Sequence, residues 1–363
     1  MSKAVERDTA SLVRAACLLC GSSESDEVCS AAEVAGQRRF VRRFHLVRRR
    51  HDRRAELADR ADFTQDNVTA IVACRSCGFV YRKTRPTAGA ATQTYADDQY
   101  GEAQLEREYA NQRRWANRKV RTLARWLAPA PGLAPFVVEV GSFVGGFLAA
   151  GQERGWTMLG VDLGKEVASF CGRKGLRVQL GTLAEAQLPP ASVDAVTIWN
   201  TFDQLPNPDT TLAAARRILR PDGVVVIRIP NGLAFRHAYA LHRHAPRPIK
   251  ACIAAAMAWN NLLGFPYIYG YEPQTLDALL GRHGFRRLAL YPDQLMEIAD
   301  AGSTLYARWE ERVIKMAGRL AAVVERLFGG TGAFSSPWLD LYYRATETAA
   351  DTAISVNAGR AGM

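Results

Sequence analysis

The stretch "VVEVGSFVGGFL", residues 137–148, decides the fold. Three nearly consecutive β-branched residues, Val137, Val138 and Val140, have the character of a strand buried on both faces of a parallel sheet. The chain then breaks into Gly141, Gly145 and Gly146 before apolar residues return. Glycine directly after such a strand lets the backbone approach a ligand at a helix N-terminus. A bound nucleotide and an ordinary strand-to-helix turn both satisfy this motif alone, so its neighbours must decide.

Outward from that turn, strand and helix patterns alternate. "PFVVEV", "TMLGVD", "LRVQL", "VDAVTIW" and "GVVVIRI" read as strands, separated by the helical patterns "FLAAGQERG", "KEVASFCGRKG" and "DTTLAAARRILRPDG". Such alternation requires a parallel sheet with helices on both faces. Asp162 ends the second strand, 21 residues past Gly141, where a carboxylate can accept hydrogen bonds from ribose hydroxyls. A dinucleotide fingerprint would need glycine at position 143, and Phe143 stands there, so the hydride-transfer reading loses its signature. Glu139 is costly to bury, so it is expected to face the ligand or cap the loop's amides, with loop support alone as the alternative.

Upstream, "CLLCGS" and "CRSCGF" place Cys17, Cys20, Cys74 and Cys77 in two matching CxxCG knuckles. Two residues between cysteines let both thiolates face one ion, and four thiolates complete a tetrahedral zinc shell. A pair of redox dithiols is the alternative, although a thioredoxin-type motif would occur once and beside a βαβ pattern. Cys29, Cys171 and Cys252 have no such partners and read as plain thiols.

The spacer between the knuckles holds most of the charge. The net charge is +11, yet residues 38–60 carry ten arginines against three carboxylates, +7, which leaves only about +4 elsewhere. Phe40, Phe44 and Val47, with Val41 adjacent, give this segment the spacing of a basic amphipathic helix. A solvated helix face is one reading; contact with phosphates or an anionic membrane surface is the other.

With 363 residues, 48% hydrophobic and 23% charged, the chain has the composition of a folded globular protein. No run reaches the 18 or so apolar residues of a membrane span and the start lacks a signal-peptide order, so a cytoplasmic location is expected. The organisation expected is a disordered start (1–15), a zinc-ribbon module with a basic helical insertion (16–85), a helical connector (86–130), a main domain (131–346) with insertions at 231–270 and 293–334, and a disordered tail (347–363). In the second insertion Leu305, Trp309, Val313, Met316, Leu320, Val324 and Leu327 trace one helical face, expected to pack in the core, with homodimer contact as the second reading.

At this point the sequence resembles the class I S-adenosylmethionine-dependent methyltransferases, in particular small-molecule members preceded by a zinc ribbon. The residues that carry the resemblance are "EVGSFVGGFL", "GVDLG", "LPPASVDAVTIWNTFDQLPNPDTTLAAARRILRPDGVVVIRIPNG", "LLGRHGF" and "CRSCGFVYRKTRPT", and it covers about 16 to 346. It implies a Rossmann-like, doubly wound α/β sheet of seven strands with the last antiparallel. It implies S-adenosylmethionine as cofactor, held by Glu139, Gly141, Ser142, Gly145, Asp162, Leu163 and Asn200, beside a structural Zn2+ ion. Phe143, Thr182 and Gln204 depart from residues common in relatives: a glycine, an acidic residue near the adenine, and a histidine.

Methyl transfer is an in-line displacement that needs a base only for a weak nucleophile such as a hydroxyl or an enolisable carbon. His237, shortly after the fifth strand, is the candidate base, with an exposed histidine on a basic lid as the alternative. Tyr267, Tyr269 and Tyr271 are placed to wall a pocket or to fill the core. The expected acceptor is a small molecule: a sugar, a sugar nucleotide or a natural-product hydroxyl or carbon. An RNA acceptor gripped by the arginine segment is the rival, but "WNTFDQLPNP" lacks the Asn/Asp-Pro-Pro-aromatic turn of many nucleobase methylases. A zinc scaffold with a degenerate cofactor fold is disfavoured because Glu139, Gly141 and Asp162 are all intact.

Overall fold

The computed structural model describes residues 12–50, 68–96, 100–129, 131–299 and 302–346. The basic segment beyond residue 50 and the C-terminal tail lie outside the described residues. The chain opens with β1 (Leu12–Arg14), β2 (Ser25–Cys29), α1 (Ala31–Leu46), β3 (Ile71–Cys74), β4 (Val80–Arg82) and β5 (Thr84–Pro86). β1 pairs antiparallel with β5, so residues 12–14 are a strand and not part of a disordered start.

Ser30 starts α1 with a capping box: its hydroxyl accepts from the Glu33 amide at 3.2 Å while its own amide donates to Glu33 Oε2 at 2.8 Å. The inward face is Val34, Val41 and Phe44, with Phe44 edge-on to Trp259 at 5.4 Å. Phe40 and Val47, expected on that face, are 41% and 63% exposed, because Trp259 receives the turn that carries Val41 and Phe44.

After α2 (Ala88–Ala96) and α3 (Glu102–Leu123) the alternation sets in: β6 (Phe136–Val140), α4 (Gly146–Gln152), β7 (Thr157–Asp162), α5 (Lys165–Arg173), β8 (Val178–Leu180), β9 (Val193–Trp199), α6 (Pro208–Ile218) and β10 (Leu219–Pro230). The first insertion supplies α7 (Gly232–His244), α8 (Arg247–Trp259) and β11 (Tyr269–Gly270). The chain closes with α9 (Pro273–Arg282), β12 (Phe285–Asp293), α10 (Leu305–Leu327) and β13 (Trp338–Ala345).

The main sheet has seven strands in the order β12-β13-β10-β9-β6-β7-β8, and β13 runs antiparallel to both neighbours. This is the doubly wound sheet with a reversed last strand that the sequence implied. The order reverses at β6, which pairs with β7 on one side and β9 on the other, so a crevice opens above their carboxyl ends. A second sheet, β11-β4-β3-β2, joins the cysteine module to the first insertion. Phe79 and Tyr81 of that module share one core with Val138, Ile198 and Tyr271.

Four charged groups hold the far edge of the main sheet. Lys119 of α3 donates to Asp293 at 2.7 Å and also to Asp340, while Arg228 of β10 reaches Asp293 at 3.2 Å. The Lys119, Arg228 and Arg118 cations outweigh burial and keep the Asp293 carboxyl well below the usual range.

α10 overturns the expectation of a core stripe. Its packed face is Ala307, Glu311, Lys315 and Ala322, whereas Leu305, Trp309, Met316 and Leu320 are each more than 60% exposed. Glu311 accepts from the Ile298 and Ala299 amides at 2.7 and 2.8 Å and pairs with Lys315, so a polar anchor seats the helix.

Candidate active site

The turn after β6 is built on left-handed backbone. Gly141 has φ +70° and a Cβ there would lie 2.4 Å from Thr201 Oγ1, so only glycine fits between β6 and the end of β9. Phe143, where a dinucleotide fingerprint would need glycine, also adopts a positive φ, +47°. Its amide donates to Asp162 Oδ2 at 2.8 Å, while Gly164 donates to Asp162 Oδ1 at 2.9 Å. Three further amides of the turn are bonded within the chain: Gly141 donates to Val161 O, Gly145 to Ser142 O and Gly146 to Gln112 Oε1 of α3. The turn thus keeps these amides, with that of Phe143, from a phosphate.

It presents carboxylates instead. Glu139 is fully buried, neither of its oxygens has a hydrogen-bond partner, and burial together with the Asp162 charge pushes its pKa well above the usual range. Burial also raises Asp162, opposed by the amides of Gly164, Phe143 and Leu163. Ser142 Oγ is buried without a partner too. Unpartnered acceptors around a tight turn suit a ligand that brings donors and positive charge.

A cavity of about 530 Å³ opens beside this turn, within the range of small-molecule sites. Gly141, Asp162, Leu163 and Asn200 line it; Glu139, Ser142 and Gly145 do not. Asn200 sits at φ +56° past the end of β9, its side chain accepting from Arg228. Thr182 also lines the cavity, and its amide and hydroxyl donate to Glu185 at 2.7 and 2.9 Å. A carboxylate thus stands three residues after the position where the sequence lacks one.

The opposite wall comes from elements that sequence reasoning kept apart from the site. Val41 and His45 of α1, Thr92 and Tyr95 of α2, and residues 295–298 line it. The Tyr95 hydroxyl bridges Gln204 Oε1 at 2.9 Å and the Tyr267 hydroxyl at 3.2 Å, while Gln204 Nε2 donates to Asn200 O at 2.9 Å. His237 is elsewhere: it is exposed on α7, with Nδ1 2.8 Å from Leu233 O and the ring 4.5 Å from Phe334. It does not line the cavity, because α7 turns that side to solvent. Tyr269 and Tyr271 are buried in the core among Phe79 and Phe202. The alternation carried no signal for His45 or Tyr95, since both lie in segments whose pairing with the main sheet is long-range.

The four cysteines meet. Cys17 and Cys77 Sγ are 3.5 Å apart, Cys20 and Cys74 Sγ 3.4 Å, and all four sulfurs lie within 4.8 Å of one another. A tetrahedral site with bonds of about 2.3 Å places its sulfurs roughly 3.8 Å apart, so the cluster suits a zinc ion. Gly21 and Gly78 at φ +74° and +73° close the two knuckles alike. Burial raises Cys17, whereas at Cys74 burial is outweighed by hydrogen bonds from the Cys77 amide, the Cys20 thiol and the Ser76 amide, which bring the thiol down to about 7.

Residues 138–227 match the methyltransferase domain family, spanning β6 to β10 and the turns just described. No curated protein matches the chain. Among solved structures, it is similar to an S-adenosylmethionine-dependent methyltransferase from Archaeoglobus fulgidus, with 18% identity over 64% of this chain and 94% of that one and a TM-score of 0.40. It is also similar to a possible histamine N-methyltransferase from Thermotoga maritima (16% identity, 66% and 93% covered, TM-score 0.39). A third is the Haloferax volcanii complex of the Trm112 methyltransferase activator with a methyltransferase (17%, 65% and 91%, TM-score 0.41). The family match covers about a quarter of the chain, from the middle of β6 to near the end of β10.

Proposed function

We propose that this enzyme transfers a methyl group from S-adenosylmethionine to a small molecule carrying a sugar or natural-product hydroxyl or an enolisable carbon. The observation that carries the reading is the carboxylate pair at the turn after β6: Asp162 lines the cavity, and Glu139 is buried within reach of its charge with no hydrogen-bond partner for either oxygen. A cofactor with an ammonium and a sulfonium suits that carboxylate-lined site better than a pyrophosphate does. Bound there, S-adenosylmethionine supplies a methyl group already activated by its positive sulfur.

The chain's own residues then bind and align. Asp162 and Asn200 line the cofactor side with Leu163, and Glu139 is buried within reach of the Asp162 charge. Tyr95, Gln204 and Tyr267 form a hydrogen-bonded wall that orients an acceptor above the carboxyl ends of β6 and β9. We assign the role of proton acceptor to His45, the histidine that lines the cavity, in place of His237. The cysteine cluster holds a structural zinc ion that fixes the module carrying α1, and through it that wall.

A small acceptor fits better than RNA because α1, α2 and residues 295–298 cover the cavity, and because Arg48 is turned inward onto Glu310 and away from any phosphate. The test is methyl uptake from labelled cofactor in pools of sugar nucleotides, polyphenols and RNA. Uptake by a small-molecule pool supports the reading, and uptake by RNA alone overturns it.

A further inference from the structure

α10 is attached backwards for a helix of a globular core. At about 100° per residue, Leu305, Trp309, Val313, Met316, Leu320, Val324 and Leu327 fall within about 100° of arc, and that arc faces away from the protein. Leu327 and Phe328 are 79% and 88% exposed, and Trp309, at 61%, is the one exposed tryptophan among the described residues. A contiguous apolar face of this length marks a contact surface.

Charge says what covers it. Arg312, Arg319 and Arg326, spaced by seven, are exposed along one edge of the apolar arc. The helix's carboxylates point elsewhere: Glu310 binds Arg48 and Trp259, Glu311 binds Lys315 and backbone amides, and Glu325 accepts from Ser335. At its N-terminal end α10 is stitched to the basic end of α1, where Thr304 donates to Arg48 O and Arg50 to Gly302 O. Arg43 and Arg50 are exposed there beside Leu46 and Val47.

A second copy of the chain would not complement this pattern. In an antiparallel pair related by a two-fold axis, the arginine edge of one helix adjoins the arginine edge of the other. In a parallel pair it meets the opposite edge, which carries Ala317, Ala321 and Phe328. Apolar residues with tryptophan on one side and arginines along the border are instead the pattern of a helix lying in a bilayer interface.

We propose that α10, with the basic end of α1, docks the enzyme on an anionic lipid surface, the apolar face entering the headgroup boundary and the arginines meeting lipid phosphates. The inner face of the same helix holds Met296, Ile298 and Ala299, the first two part of the cavity wall, so docking sets the cavity about one helix diameter, ~10 Å, from the lipid. The proposal goes beyond the methyl-transfer reading and is tested without it.

The full chain is mixed with vesicles of phosphatidylcholine alone or with phosphatidylglycerol added. The expected result is co-sedimentation with the anionic vesicles only, weakened by salt, with a blue shift of tryptophan emission that Trp309→Phe removes. Met316→Asp with Leu320→Asp, both solvent-facing, is expected to abolish binding while the melting temperature and cofactor affinity stay put. Arg312→Gln, Arg319→Gln and Arg326→Gln together are expected to lower partitioning at least about tenfold. Absence of vesicle binding at low salt by folded protein overturns the proposal. So does a dimer in sedimentation equilibrium that Leu320→Asp dissociates, which assigns the face to a second copy.

Discussion

The Arg48 guanidinium donates twice to the Glu310 carboxylate, at 2.6 and 2.9 Å, across 262 residues of sequence. It also lies 3.5 Å over the Phe44 ring, and Glu310 accepts from Trp259 Nε1 at 2.9 Å as well. One ion pair thus joins α1, α8 and α10. Glu310→Ala is expected to cost about 1.5–3 kcal/mol in urea unfolding, the scale of hydrogen bonds to a charged group. Arg50→Gln, at an exposed side chain, is expected to change stability by less than about 0.5 kcal/mol. Equal effects of the two variants would contradict the account of this junction.

Metal removal separates structural from redox cysteines. Freshly purified protein is expected to hold one zinc ion per chain, and Cys74→Ser is expected to lose it and melt earlier, because four thiolates close the shell. Zinc-free protein of unchanged stability would count against the cluster as a metal site.

Acid stability reports the network at Asp293. Its carboxyl titrates below the unfolded value of about 3.9, so its contribution is present above that value and is lost as pH falls through it toward the lower folded value. Urea midpoints between about pH 3 and 5 are expected to fall less steeply with acid in Asp293→Asn than in the parent. Identical slopes would show that the carboxyl is not held ionised by Lys119 and Arg228.

The two histidines divide the site readings. His45→Gln is expected to lower kcat by about tenfold or more with cofactor affinity kept, whereas His237→Gln, on an exposed helix face, is expected to leave turnover within about twofold. The reverse order would return the base to the lid.

What the sequence could disclose follows the range of the interactions. The β-branched run at 137–140 and its glycine turn are local, and the strand they announce pairs in the expected sheet. CxxCG knuckles are local too, and they meet although 53 residues separate them. The arc of Leu305 to Leu327 was equally legible as a stripe, but periodicity carries no sign: it gives the amphipathic axis and not which side packs. Here the buried Glu311–Lys315 anchor reverses the usual orientation. His45, Tyr95 and the Gln204 wall escaped because β11 and α8, far along the chain, carry the cysteine module over the cavity.

The central claim is that Asp162, held by the Phe143 and Gly164 amides, forms part of a site for S-adenosylmethionine. Calorimetric titration of that cofactor into the wild-type protein and Asp162→Ala tests it most directly. The account predicts one binding site per chain, weakened by about 1.5–3 kcal/mol in the variant, roughly tenfold to a hundredfold in Kd. Unchanged affinity in a folded Asp162→Ala protein, or no binding by the wild type, would contradict it.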